Sequence, residues 1–278
     1  MEAPQHRALA LRYGVDPEVL RLGYAAFDLW SLGYAEAAQQ RVQAALTLAQ
    51  ELAHPFSLVV ALGVTAIVQQ CRQDISGTQA QAEATLTLAT EQGSPYWIAG
   101  GAMLRGWALA AQGQTEAGIA QIRQGLTTYR ATGAELICPY WLALLAEAYG
   151  KGGQAEAGLA VLAEALAAVE KTGERWCEAE LYRLKGELLL QSGGQSLEPG
   201  VSNPQAAAET CFHQARDTAH RQQSKSFELR AAMSLARLWQ RQGKYAEAHE
   251  LLAPIYGWFT EGFDTVDLQE ARALLQEL

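Results

Sequence analysis

The sequence predicts an all-α fold, a solenoid of six helical hairpins of about 40 residues each followed by a capping helix. Three observations predict it. Small and apolar residues recur at a fixed spacing along the chain. Each copy contains two stretches with helical periodicity, separated by a glycine turn. No stretch of useful length shows the apolar–polar alternation of a β-strand. Hairpins of this kind stack so that each contacts only its neighbours.

The spacing is a step of 40 residues, interrupted once by a step of 50. The first column is always small: Ala26, Ala66, Gly106, Ala146, Gly186 and Ala236. The second is mostly glycine: Gly33, Gln73, Gly113, Gly153, Gly193 and Gly243. The third is small or short: Ala38, Thr78, Gly118, Gly158, Ala208 and Ala248. The fourth is apolar: Val42, Ala82, Ile122, Leu162, Phe212 and Leu252. A plain helical bundle has no need of such a fixed step.

The columns define one domain over 1–278 and place the repeats along it. We expect hairpins at about 16–54, 55–94, 95–134, 135–174, 175–224 and 225–262. The long step is explained by a surface loop at 195–204, where "SLEPGVSNP" is rich in turn-forming residues. The segment 264–278 is expected to form the capping helix, with Asp264 or Thr265 at its start.

The hairpin pattern is clearest in "PYWLALLAEAYGKGGQAEAGLAVLAEALAAVEKTG". Apolar residues recur every three or four positions on both sides of "GKGG", and glycine readily ends a helix in the left-handed region. The small residues Ala146 and Gly158 lie on the two helices. We infer that they allow the helices to approach each other closely.

Composition excludes several classes of protein. The chain of 278 residues carries a formal net charge of −9, which argues against nucleic-acid binding. No apolar run reaches the ~20 residues that a membrane span needs, and no signal peptide precedes the first repeat. The four cysteines are far apart in sequence, as expected for buried side chains in a reducing cytoplasm.

The columns resemble a lengthened tetratricopeptide repeat, whose usual unit is about 34 residues. This resemblance implies a right-handed superhelix in which the first helix of each hairpin lines the concave groove. The stretches "ELAHPFSLVVAL", "GERWCEAELYRLKGELLLQSGG" and "LLAPIYGWFTEGFDTVDLQEARALLQEL" are similar to the carboxy-terminal repeats of large bacterial signalling proteins. Those proteins carry a predicted ATPase, often with a nucleotide cyclase or kinase. Because no GxxxxGK[ST] motif occurs here, none of their catalytic residues can be transferred.

The stretch Gly173 to Gly194 combines a cysteine, acids and bases, and could be mistaken for an active site. Cys177 has no histidine near it in sequence, and a nucleophilic thiol needs a base or a lowered pKa. His213 and His220 are two helical turns apart, too far for one metal ion without other ligands. We therefore expect no enzyme activity, no cofactor and no metal. Glu180, Arg183 and Glu187 share a helix face, either as intrahelical ion pairs or as a contact site for a partner.

The resemblance also implies which side chains line the groove. In the first three repeats these are Phe27, Trp30, Ile67, Met103 and Trp107. In the last three they are Tyr140, Glu147, Glu180, Arg183, Glu187, Arg230 and Arg237. The groove is then apolar at one end and charged at the other. The alternative, that Phe27 and Trp107 pack between repeats, stays open.

We expect a cytoplasmic, non-catalytic binding and regulatory scaffold. Its concave groove would hold a protein or peptide, for example an ATPase or cyclase domain of a signalling system. A second hypothesis is a sensor whose groove closes on a small ligand. A third is self-association through exposed repeat faces. Neither a nucleic acid nor a membrane is an expected partner.

Overall fold

The computed structural model describes residues 3–193 and 203–278, and within them it contains fourteen α-helices and no β-strand. The predicted all-α helical repeat class is confirmed. The helices are α1 Ala3–Tyr13, α2 Pro17–Ser31, α3 Ala35–Leu52, α4 Pro55–Cys71, α5 Ile75–Glu91, α6 Pro95–Ala111, α7 Thr115–Ala131, α8 Cys138–Lys151, α9 Ala155–Thr172, α10 Glu178–Gln191, α11 Pro204–Arg221, α12 Lys225–Arg241, α13 Tyr245–Tyr256 and α14 Val266–Glu277. The predicted loop at 195–204 lies outside the described residues as far as residue 202. None of the described helices has the length and apolar character to cross a bilayer.

The helices form two compact units. The first comprises Met1–Trp30 and Tyr34–Glu135, and the second comprises Ser31–Gly33 and Leu136–Leu278. In the second unit each helix from α8 to α14 packs on the next, and α10 also packs on α8 and α12. In the first unit α6 packs on α4, α5 and α7. The first helices of successive hairpins are therefore neighbours within each unit.

Several helices begin where the sequence provides a cap. Asp16 precedes α2, and its Oδ1 accepts hydrogen bonds from the backbone N–H groups of Glu18 and Val19. Its own N–H donates to Ser57 Oγ at 2.9 Å, which ties the start of α2 to the start of α4. The other carboxylate oxygen lies 2.9 Å from Nδ1 of His6 in α1, a helix that the repeat spacing does not predict. This buried carboxylate therefore organises the start of the first unit.

The glycine column marks a backbone conformation. All six of its members have φ between 59° and 97°, and Gln73 has φ of 59° although it is not a glycine. A second series with positive φ follows the second helix of the first five hairpins: Ala53, Gly93, Gly133, Gly173 and Gln223. Left-handed residues are the usual way to end an α-helix and reverse the chain. Both turns of the hairpin repeat thus use the same device.

The small columns are contact points between helices. The Cα of Gly106 in α6 lies so close to α7 that a Cβ there would be 2.8 Å from the carbonyl oxygen of Gly118. A Cβ on Gly118 would be 2.4 Å from the carbonyl oxygen of Gly106. At Gly186 of α10, a Cβ would meet the Phe212 ring of α11 at 2.4 Å. The close approach inferred from the sequence is therefore present in these hairpins.

Apolar side chains beside these contacts form the cores. In the second unit one cluster joins α10 to α11 and α12 through Leu189, Phe212 and Leu235. Another joins α12 and α13 to α14, which buries Leu268, Ala271 and Leu274. The last helix therefore covers apolar surface of α12 and α13, as expected of a cap.

We predict that Gly118→Ala destabilises the first unit by about 1–3 kcal/mol, because the added methyl group overlaps the α6 backbone. In an isolated helix the same change would be stabilising by roughly 1 kcal/mol. Chemical denaturation measures the difference. Thr127→Ala, an exposed change on the same helix, is the control and should alter stability little. A Gly118→Ala protein as stable as the wild type would contradict the close contact.

Candidate interaction surface

The groove residues predicted in the first unit are mainly core residues. Met103 and Trp107 are 0% exposed and Trp30 is 2% exposed, while Phe27 and Ile67 are partly buried. For Met103 and Trp107 the reason is the composition of α6, which is apolar or small around most of its circumference and packs on three other helices. Trp30, Met103 and Trp107 therefore offer no surface to a partner. Of the two residues named in the packing alternative, Trp107 is buried and Phe27 is partly buried.

The charged residues predicted in the second unit do come together. Arg183 of α10 donates from Nε and Nη2 to the two carboxylate oxygens of Glu180, at 2.8 and 2.7 Å. Its Nη1 lies 3.6 Å from the Glu187 carboxylate, one turn further along the helix. A bidentate pair of this kind fixes both side chains. The intrahelical ion pairs expected from the spacing are therefore present.

Arg230 connects this set to two further helices. From α12, its Nε and Nη2 lie 2.9 and 2.8 Å from Oδ2 of Asp267 in α14. Its Nη1 lies 3.9 Å from Oε1 of Glu180 in α10. Only 8% of the Arg230 side chain is exposed. This guanidinium group therefore links α10, α12 and α14 through opposite charges.

The same surface continues on both sides of Arg230. Ser234 Oγ donates to Glu187 Oε1 at 2.7 Å, and Arg237 donates to Glu270 of α14 at 2.6 Å. We call the whole set the charged strip. It consists of Glu147, Lys151, Glu180, Arg183, Glu187, Arg230, Ser234, Arg237, Asp267 and Glu270.

Burial and neighbouring charges shift the pKa values of the inner members of the strip in opposite directions. Burial lowers the pKa of Arg183, but Glu180, Glu187 and Glu147 outweigh it and raise the pKa above its ordinary value. Arg230 behaves in the same way, with Asp267 and Glu180 as the raising charges. Burial raises the pKa of Glu180, but Arg183 and Arg230 lower it more, so the net direction is downward. All three groups are therefore held in their charged forms.

Exposure divides the strip into two parts. The side chains of Glu180, Arg183, Arg230 and Asp267 are at most 18% exposed. In contrast, Glu187 and Arg237 are each 37% exposed and Glu270 is 51% exposed. A depression of about 280 Å³ lies beside Arg237 and Glu270, between α12 and α14. The inner ion pairs hold helices together, and the outer charges face solvent.

Tyr140, the aromatic residue among the groove residues predicted in the second unit, belongs to a row of aromatic rings. Tyr140 is buried, and its ring centroid lies 5.3 Å from that of Trp176. Trp176 lies 6.5 Å from Phe227, and its Nε1–H donates to Glu174. The other oxygen of Glu174 accepts from the N–H of Ile137, which has φ of 51°. This row fixes the starts of α8, α10 and α12.

The spacing along α10 does not reveal the partners contributed by other helices. Ser234 is a short polar residue on α12, and Asp267 and Glu270 lie on α14, whose apolar face indicates only a cap. A signal was present, since Asp267, Glu270 and Glu277 recur on one side of that helix. Cys177, the candidate nucleophile considered above, is 1% exposed and lies before α10. Among the described residues, no three metal-ligating side chains are grouped to hold an ion.

Comparison with known proteins bears on the fold alone. No family model matches the chain, and no curated protein matches it by sequence. The apo form of RapI matches with a TM-score of 0.61 and 11% identity, over 94% of this chain and 85% of that chain. Aspartyl phosphate phosphatase F from Bacillus subtilis matches with a TM-score of 0.59 and 12% identity, over 87% of this chain. The match spans 61% of the phosphatase chain.

A third solved structure is the complex of the TPR2AB domain of yeast Sti1 with pHSP90. It matches over 93% of this chain and 97% of that chain, with 13% identity and a TM-score of 0.36, too weak a likeness to carry an inference. The matches to RapI and to the phosphatase, together with the repeated helical hairpins, support a tetratricopeptide-like helical repeat fold.

We predict that Glu180→Gln destabilises the second unit by about 3 kcal/mol at neutral pH, because it leaves Arg183 and Arg230 buried beside an uncharged group. The folded-state pKa of Glu180 is lowered, so its contribution is present above the unfolded pKa and is lost as the pH falls through the folded pKa. The difference between wild type and variant should therefore shrink in acid. Chemical denaturation of wild type and variant at neutral pH and at acidic pH measures this difference in stability.

Glu18→Gln is the matched control, because Glu18 also pairs with an arginine three residues along its helix, at 2.7 Å, but at an exposed site. Its loss of stability should be much smaller. Equal losses for Glu180→Gln and Glu18→Gln would contradict the assigned role of the inner pairs.

Proposed function

We propose that the chain is a non-catalytic binding and regulatory scaffold, and that the charged strip of the second unit binds a protein or peptide. The observation that carries this proposal is the arrangement of the strip. Its inner ion pairs are buried and fixed, and Glu187, Arg237 and Glu270 stand exposed on that base. Side chains already held in place lose little conformational entropy when a partner binds, and this favours affinity.

The chemistry of the strip indicates the kind of partner. Its exposed members carry both signs of charge, so a complementary segment needs acidic and basic side chains in a matching order. The net charge of −9 on the whole chain attracts a partner with a basic surface over longer distances. We infer that the partner is a protein segment of mixed charge on a basic domain. The acidic balance disfavours a nucleic acid.

The expected setting is a bacterial cytoplasmic signalling system, with an ATPase or cyclase domain as the partner. The tetratricopeptide-like fold and the similarity of the quoted stretches to repeats of such proteins support this setting. Self-association remains part of the same proposal as a use of exposed repeat faces. The second neighbour is named as a phosphatase, but we propose no such activity for this chain, because the acidic side chains of the strip are engaged by arginine, lysine or serine.

The test is affinity capture from a lysate of the source organism, followed by titration of the purified captured protein. Arg237→Glu reverses a charge on the exposed part of the strip. We predict that it weakens binding by about tenfold or more, because like charges at an interface cost on the order of a few kcal/mol. The effect should diminish at high salt.

Arg216→Glu on α11 is the matched control, since it makes the same charge change outside the strip and beside Asp217. It should leave affinity nearly unchanged. If both variants bind as the wild type does, or both lose binding equally while remaining folded, the strip is not the binding surface.

A further inference from the structure

A cleft of about 800 Å³ lies within the first unit, between α5 and α7, with α6 as its floor. Pockets that bind small molecules commonly have volumes of about 300–1,000 Å³. The floor carries Ile98, Ala99, Ala102 and Arg105. The size and shape of the cleft suit a small molecule better than a folded domain.

Small residues keep this cleft open. Ala99 and Ala102 on the floor and Ala117, Ala120 and Gly125 on the α7 wall line it. A Cβ on Gly125 would lie 2.5 Å from the Met103 side chain, so the wall already stands as close to α6 as packing allows. The width of the cleft is therefore set by the backbone arrangement and by these small side chains.

Arg105 gives the cleft its chemical character. The guanidinium Nε is buried and has no hydrogen-bond partner among the described residues. Buried N–H groups in folded proteins are nearly always paired, and a charged donor left unpaired is costly. The Arg105 side chain as a whole is partly exposed and lines the cleft, so its guanidinium group offers a cationic contact to an anionic ligand there.

The surroundings of Arg105 add neutral hydrogen-bonding groups to the cleft. The next residue, Gly106, lies against Gly118 and Ile122 of α7. Arg105 is therefore beside the part of α7 that places Gln121 and Gln124 in the wall. Their amide N–H groups are neutral donors available to an oxyanion bound by Arg105, such as a carboxylate.

The other residues that line the cleft indicate the chemistry of the rest of the ligand. The one carboxylate of the lining, Glu91, ends α5 next to the start of α6. Arg105 lies seven residues beyond Ile98, about 10 Å along the α6 axis, towards the opposite end. The floor between them is apolar, and Leu86 adds to it. The cleft thus has a cationic end, an apolar middle and an acidic far end.

We propose that this cleft is a binding site for a small organic acid, whose carboxylate accepts hydrogen bonds from Arg105 and whose apolar body covers Leu86, Ile98 and Ala102. The site lies wholly in the first unit, and the proposal does not depend on the charged strip. It gives the chain a ligand-binding function in addition to partner binding.

The test uses purified chain and three probes, benzoate, phenylacetate and hexanoate, each compared with its primary amide by calorimetric titration and ligand-observed NMR. We expect at least one of the carboxylates to bind at millimolar concentration or below. Its amide should bind at least about tenfold more weakly, because a hydrogen bond to a charged group is lost. Arg105→Met should reduce carboxylate binding by a similar factor.

Arg123→Met, an exposed arginine on α7 outside the cleft, is the control and should bind like the wild type. Without ligand, Arg105→Met should unfold at an equal or higher temperature, because a buried unpaired donor is removed. Three results would overturn the proposal: no carboxylate binds, the amides bind equally well, or a folded Arg105→Met protein retains full carboxylate affinity.

Discussion

The contact on which the structure depends is the direct approach of helix backbones at small residues. Where Gly106 faces Gly118, no side chain separates α6 from α7. That contact fixes the distance and rotation of the two helices, and the large side chains then occupy the positions that remain. Met103 and Trp107 are buried as a result. The same contact places Arg105 on the side of α6 that faces the cleft, so packing and binding chemistry share one cause.

Much of the fold could be predicted from the sequence because its determinants are local and periodic. The fixed step locates the turns, and even Gln73 adopts the left-handed conformation that its column requires. The second series of turns was not recognised, although Gly93, Gly133 and Gly173 are 40 residues apart. Ala53 and Gln223 lie at the corresponding positions, and neither residue type predicts a positive φ. The backbone conformation is imposed there by the hairpin geometry.

The candidate site was predictable only in part. The spacing of Glu180, Arg183 and Glu187 indicated ion pairs along one helix, and these are present. The link from Arg230 to Asp267 joins two residues that are 37 apart in sequence and lie on different helices, and such a pair depends on packing. The aromatic residues of the first unit were transferred by repeat position alone. For Trp107 that transfer assumes one solvent-facing side for α6, whereas the composition of this helix indicates burial around most of its circumference.

The link from Arg230 to Asp267 also limits how the repeat array can evolve. Helical repeats are commonly lengthened by duplicating a hairpin, since each unit contacts only its neighbours. A hairpin inserted between α13 and α14 would place a new helix beside Arg230 and carry Asp267 away. The inserted helix would need its own acid at the matching position, or a buried guanidinium group would be left without its counter-ion. The ion pair therefore restricts the insertion of a hairpin at this junction, whereas the apolar packing alone would permit such an insertion.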